Sequence, residues 1–155
     1  MRILDLSAGN RAVWFNKQHP LAVYLDKRPE VNPTIVCDTR QIPESVGDGY
    51  SLVVWDPPHM NTGPNSNMSK VYGHHTTEEI LDTIKKTAEE AWRVTGSGAL
   101  MAFKWNSHDI KLKRVLDLMP QWEPLFGHLT KDGPRSQTYW VQLRRKERIT
   151  ALCGS

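Results

Sequence analysis

Four short apolar runs in the first third of the chain each carry an aspartate at or beside their end, and this pattern limits the possible folds more than any other feature. Residues 3–6 read as a strand carrying Asp5, and residues 21–25 as a strand closed by Asp26. Residues 34–37 read as one closed by Asp38, and Tyr50–Trp55 as one closed by Asp56. Short strands alternating with turns and helical stripes indicate an α/β fold built on a mostly parallel sheet. In open sheets of that kind ligands bind beyond the carboxyl ends of the strands. A single acid there would mean little, but four in order place four carboxylates along one rim.

The remaining chain supplies three more strands. A stripe of Ile80, Ile84, Ala88, Ala91 and Trp92 predicts a helix over Thr77–Val94, opened by a capping box of Thr76 and Glu79 and stopped at Gly96. Residues 99–103 predict a fifth strand. Ser107 is expected to cap a second helix with Ile110, Val115, Leu118 and Met119 inward and Pro120 at its end. Residues 122–129 and 138–143 predict two final strands around a turn at Asp132, Gly133 and Pro134. Near the start, a turn at Ser7, Ala8, Gly9 and Asn10 is expected to lead into a short helix carrying Val13, Trp14 and Phe15.

Connection lengths add a further constraint. About eight residues, Pro29 and Pro33 among them, join the second and third strands. A parallel crossover normally takes a dozen or more residues and a helix, yet eight extended residues span roughly 26 Å. The 39–49 connection is also short. Helices are therefore expected to be missing on part of one sheet face. The exposed apolar surface would favour a homodimer, which a monomeric mass in solution would contradict.

At 155 residues the chain is expected to form one domain over residues 1–146, followed by a tail at 147–155. Its 39% hydrophobic and 24% charged content excludes a disordered chain. A net charge of +3 admits an anionic partner such as nucleic acid without requiring one. Basic clusters at Lys111, Lys113, Arg114 and at Arg144, Arg145, Lys146, Arg148 suit either solvent or phosphate. Cys37 and Cys153 offer no disulfide framework and no metal-ligand spacing, so no metal is expected. No apolar stretch approaches the roughly 18 residues of a membrane span, and the start of the chain shows no signal-peptide pattern.

The motif with the most chemical content is Asp56, Pro57, Pro58, His59 at the end of the fourth strand. Two prolines stiffen the turn and remove its N–H donors, which leaves a carboxylate and the Pro57 carbonyl as acceptors. Two such acceptors can take the two N–H bonds of an amino group, localise its lone pair and aim it. His59 offers a flat face for a ring. The Asp5 to Asn10 segment lacks G-x-G-x-x-G, which argues against a dinucleotide enzyme. Asp26 follows Asp5 by 21 residues, which suits an acid on ribose hydroxyls, and Asp38 can receive an adenine amino group. Lys104 and Trp105, at the end of the fifth strand, are placed to touch a phosphate and a base.

These pieces resemble the class I amino-methyltransferases with an Asp-Pro-Pro-aromatic motif. The resemblance is strongest to small stand-alone phage and bacterial DNA methyltransferases of the N6-adenine or N4-cytosine type. It is carried by Ala8 to Ala12 with Trp14 and Phe15, by Asp56 to His59, by Tyr72 and Gly73, by Phe103 to Asn106, and by Leu125 to His128. The resemblance implies a Rossmann-like, mostly parallel seven-stranded sheet with an antiparallel final strand. It implies S-adenosylmethionine as cofactor, with Asp5 and Ser7, Ala8, Gly9, Asn10 toward its methionine part, Asp26 on its ribose, and Asp38 with Thr39 on its adenine. Asp56, Pro57, Pro58 and His59 would face the target amine. Asn61 and Tyr72, in the polar loop that follows, would join Lys104 and Trp105 in binding the substrate. DNA is the implied partner, and the cytoplasm of a bacterium or phage-infected cell the implied location. His59 departs from the usual Tyr, Phe or Trp, and no separate target-recognition domain is present. An acceptor in RNA, in a protein side-chain amide or in a small molecule fits the same turn, as does a catalytically silent binding module.

Overall fold

A computed structural model describes residues 1–60, 65, 67 and 75–147. Seven strands form one sheet: β1 (Ile3–Asp5), β2 (Ala22–Asp26), β3 (Ile35–Val36), β4 (Tyr50–Trp55), β5 (Thr95–Asn106), β6 (Trp122–Asp132) and β7 (Gln137–Arg145). Their spatial order is β3-β2-β1-β4-β5-β7-β6. Strands β1 to β5 pair in parallel, and β7 runs antiparallel to both β5 and β6. The expected α/β sheet with an antiparallel final strand is therefore the observed one.

The two α-helices of the described residues are α1 (Thr77–Val94) and α2 (Leu112–Asp117). Helix α1 opens on the expected capping box: the Thr76 hydroxyl accepts from the Glu79 backbone N–H at 3.2 Å, and the Glu79 carboxylate accepts from the Thr76 N–H at 2.8 Å. Its buried stripe is Ile80, Ile84, Thr87, Ala88, Ala91 and Val94. Gly96 is not its stop. The chain passes straight into β5, and the Thr95 hydroxyl donates to the Ala91 and Trp92 carbonyls at 2.8 and 3.1 Å.

Period-two alternation decides which sheet face is buried. Val53, Met101 and Leu143 share one row and Trp55, Phe103 and Val141 the next, all merging with α1 into a single cluster. The Trp122 indole ties β6 to that helix by donating to the Ala88 carbonyl at 3.0 Å. On the reverse face Leu100 is 42% exposed and Phe126 69%. No α-helix occurs in the β1–β2, β2–β3 or β3–β4 connections, which hold only single 3-10 turns at Pro29–Val31 and Glu44–Val46. The expected loss of helices is real, and it leaves this face open among the described residues.

Two helix expectations are corrected. Residues 13–15 are turns, because Gly9 and Arg11 sit in left-handed backbone at φ 48° and 58°, which breaks a helical path before it starts. Trp14 instead folds back over Tyr24, ring centroids 5.2 Å apart, while the Arg11 guanidinium covers the same tyrosine at 3.8 Å. Ser107 does not cap α2. It is buried, its N–H donates to the Gln137 carbonyl at 2.9 Å, and the helix starts five residues later at Leu112. Among the described residues no helix is long and apolar enough to cross a membrane.

Candidate active site

The chain leaves β1 toward β2 and β3 and then returns to β4, so the sheet reverses its direction of growth between β1 and β4. The two strand ends at this point are tied together. Leu6 N–H donates to the Val54 carbonyl at 3.0 Å, and Asp56 N–H donates to the Ser7 hydroxyl at 2.7 Å. An open cleft of about 760 Å³ lies here, bordered by Asp5, Ser7, Ala8, Gly9, Asn10, Asp26, Asp38, Thr39, Asp56, Pro57, Pro58, His59 and Lys104. The four strand-end aspartates thus share one cleft.

Asp5 lies at the base of the cleft, 2% exposed. Its carboxylate accepts from the Ser7 N–H at 3.0 Å and from the Trp14 indole at 2.7 Å. Burial pushes its pKa up to about 6; the two hydrogen bonds oppose this, while Asp56 and Asp26 add to it. The folded protein therefore holds this proton more tightly than the unfolded chain, whose carboxyl titrates near 3.8. The associated stability is fully present below the unfolded value and is lost as pH rises through about 6. Asp5→Asn should remove a stability slope on the order of 3 kcal/mol between pH 4 and 7. The amide adds a constant cost by facing one N–H donor, so the slope is diagnostic: urea denaturation with equal pH slopes in both proteins would contradict the assignment.

Gly9 turns the chain at φ 48° so that its N–H donates to Asp26 at 2.9 Å. A side chain here would be strained. Asp26 is also gripped by Arg28, through the backbone N–H, Nε and Nη2 at 2.9, 3.0 and 3.0 Å. Burial disfavours the Asp26 charge, but these hydrogen bonds outweigh it and hold the carboxyl below the usual carboxylate range. Asp38 is held below that range chiefly by hydrogen bonds from Arg40. Arg40 also reaches Asp82 of α1 at 3.2 Å. The Thr39 hydroxyl is committed to Thr87 of α1 at 3.1 Å.

At the other end of the cleft the Asp56 carboxylate accepts from Lys104 Nζ at 3.0 Å through Oδ2. Both side chains are about one-third exposed, at 29% and 31%. Lys104, expected at a phosphate, is thus the partner of the motif's own acid. His59 Nδ1 lies 3.3 Å from the Pro57 carbonyl. A carbonyl can only accept, so Nδ1 carries the proton in this contact. Burial pushes the His59 pKa down, which favours the neutral ring. The Pro57 carbonyl is therefore shared: one lone pair serves His59 and the other remains for a ligand.

Trp105 requires a correction. It is fully buried, and its indole N–H donates to the Ile110 carbonyl at 2.8 Å. It does not reach a base. It packs edge-on to His59 at 6.0 Å and stacks on Phe103 at 5.9 Å, forming an aromatic support under the motif. Asn61 and Tyr72 lie outside the described residues. Sequence reasoning missed Arg28, Arg40, Glu79 and Thr83, which also border the cleft. The available signal was the repeated Asp-x-Arg of Asp26–Arg28 and Asp38–Arg40. Among the described residues no cluster of His, Cys, Asp and Glu could hold a metal ion.

No protein-family model matches the chain, and no curated protein matches it by sequence. Solved structures do match by shape. One is the N-methyltransferase NodS from Bradyrhizobium japonicum in complex with S-adenosyl-L-homocysteine, with TM-score 0.63, 10% identity, and coverage of 94% of this chain and 78% of that one. A TehB-like SAM-dependent methyltransferase from Corynebacterium glutamicum matches with TM-score 0.64 and 13% identity, over 94% and 80% of the two chains. An rRNA methylase from Streptococcus thermophilus matches with TM-score 0.60 and 10% identity, over 94% and 87%. Strand order, the single antiparallel strand and these three likenesses agree that the chain has the Rossmann-like fold of the class I methyltransferases.

Proposed function

We propose that this protein transfers a methyl group from S-adenosylmethionine to an exocyclic amino nitrogen of a nucleobase, with adenine N6 or cytosine N4 in DNA as the first candidates. The observation that carries the proposal is the Asp56 carboxylate at the sheet's switch point. It sits in the same cleft as Asp5, Asp26 and Asp38, and is fixed by Lys104 on one oxygen. Among the described residues Oδ1 has no hydrogen-bond partner.

The residues fit the donor. The left-handed Gly9 turn gives a backbone cradle, Asp26 stands where ribose hydroxyls are held, and Asp38 borders the adenine end. Bound S-adenosylmethionine supplies an already activated methyl group, so the protein's task is placement. Asp56 Oδ1 and the free lone pair of the Pro57 carbonyl accept the two N–H bonds of the target amine and direct its lone pair into the cleft. Lys104 prevents the carboxylate from rotating away. The neutral His59 ring, backed by Trp105, provides a face for the base. A duplex target has to swing its base out of the stack to reach this turn.

An RNA acceptor is the second reading, favoured by the likeness to an rRNA methylase. Incubation with methyl-labelled donor and a panel of DNA, RNA and protein decides between them. Label in DNA, recovered as N6-methyladenine or N4-methylcytosine by nucleoside mass spectrometry, is the expected result. Label confined to RNA moves the acceptor, and label on carbon or oxygen removes the amine mechanism.

A further inference from the structure

The donor end of the cleft contains a contact that the proposed reaction does not use. A carboxylate offers about four acceptor sites on its two oxygens. Those of Asp26 are all filled from within the chain. Oδ1 accepts from the Arg28 backbone N–H at 2.9 Å and from Arg28 Nε at 3.0 Å. Oδ2 accepts from the Gly9 N–H at 2.9 Å and from Arg28 Nη2 at 3.0 Å. The guanidinium also lies over the glycine turn: a Cβ on Gly9 would come within 3.4 Å of Nη2. The pair is largely withdrawn from water, with side chains 25% and 8% exposed.

The four donors are not equivalent. The Gly9 and Arg28 backbone groups are fixed by the turns that follow β1 and β2. The guanidinium hangs on a flexible stem and can leave. The similar pair at Asp38 and Arg40 behaves differently, because Arg40 is also anchored to Asp82 of α1 and the pair is more than 40% exposed, at 46% and 41%.

We propose that the Arg28 guanidinium occupies the ribose subsite of the donor-free protein, and that the donor's two ribose hydroxyls must displace it to reach Asp26. This rests on the donor reading given above. The exchange replaces two charge-assisted hydrogen bonds with two from neutral hydroxyls, which are weaker. Arg28 therefore lowers donor affinity, since only the fraction of molecules with Arg28 swung out is competent to bind. It also protects a buried carboxylate while the cleft is empty.

The test uses calorimetry with S-adenosylmethionine and with S-adenosylhomocysteine, which lacks the sulfonium charge, on the wild type, Arg28→Ala and Arg28→Lys. Arg28→Ala should bind both about tenfold more tightly, the equivalent of one charge-assisted hydrogen bond. Its ligand-free form should melt lower than the wild type, and its melting point should rise further on adding ligand. Arg28→Lys, which keeps the charge but not the fork, should fall between the two. In the wild type, added salt should strengthen binding of S-adenosylhomocysteine by weakening the internal pair, a readout that needs no variant. In Arg28→Ala the same salt series should be flat. Wild-type binding with unchanged or weaker affinity in Arg28→Ala, or no strengthening by salt, overturns the displacement and leaves the donor site intact. Failure of the wild type to bind either compound overturns both.

Discussion

Asp56→Ala is expected to reduce methyl transfer by about 10³-fold or more while changing donor affinity by less than about twofold. The size follows from what the carboxylate is proposed to do. It accepts a hydrogen bond that strengthens as the amine nitrogen gains positive charge, and it locks the direction of attack, so its loss falls on the reacting state rather than on the bound donor. The donor is held by other groups, the Gly9 turn and Asp26, which Asp56 meets only through its backbone contact with Ser7. Asp56→Asn makes the comparison sharper. An amide keeps one acceptor oxygen for the amine but loses the charge that pairs with Lys104. Its rate should lie between wild type and alanine. Single-turnover assays with saturating donor give the rate, and calorimetry gives the affinity. An alanine variant with wild-type turnover would remove the motif from the chemistry.

Asp26→Ala should weaken donor binding by about 10²-fold, the net contribution of two hydrogen bonds to a charged group. The effect has a second source in the apo structure. Without the carboxylate the Gly9 N–H loses its partner, so the turn under the donor also loosens. Turnover at saturating donor should change far less than affinity, because Asp26 does not approach the amine end of the cleft. Unchanged affinity by calorimetry would place the ribose elsewhere.

Much of the fold was legible because local chemistry and tertiary packing agree. Tyr50–Trp55 was found to the residue, since an apolar run bounded by Gly49 and an Asp-Pro-Pro turn has few other readings. The bounds of α1 were found because its N-terminus is written in Thr76 and Glu79. The failures occur where a long-range contact outweighs local pattern. Trp14 reads as a helical residue, but the unfilled acceptor on Asp5 draws its indole down. Ser107 reads as a cap, but β7 takes its N–H. Trp105 ends a strand near the motif and reads as exposed, yet its alternation with Phe103 places it on the buried face. In the cleft, the acids could be read from position along the strands. Their arginine partners could not, because an Asp-x-Arg triplet does not reveal whether its third residue turns back on the first.

The Ser7 hydroxyl that receives the Asp56 N–H joins the two halves of the cleft into one rigid frame. The spacing between methyl donor and acceptor is then a dimension of the sheet itself, set by neighbouring strands rather than by a hinge. A frame of that kind permits division of labour. Residues beyond Pro58 can be exchanged to suit a different acceptor without re-aligning the reacting pair, so swapping the 60–75 segment between homologous chains should transfer acceptor preference while leaving donor affinity where it was.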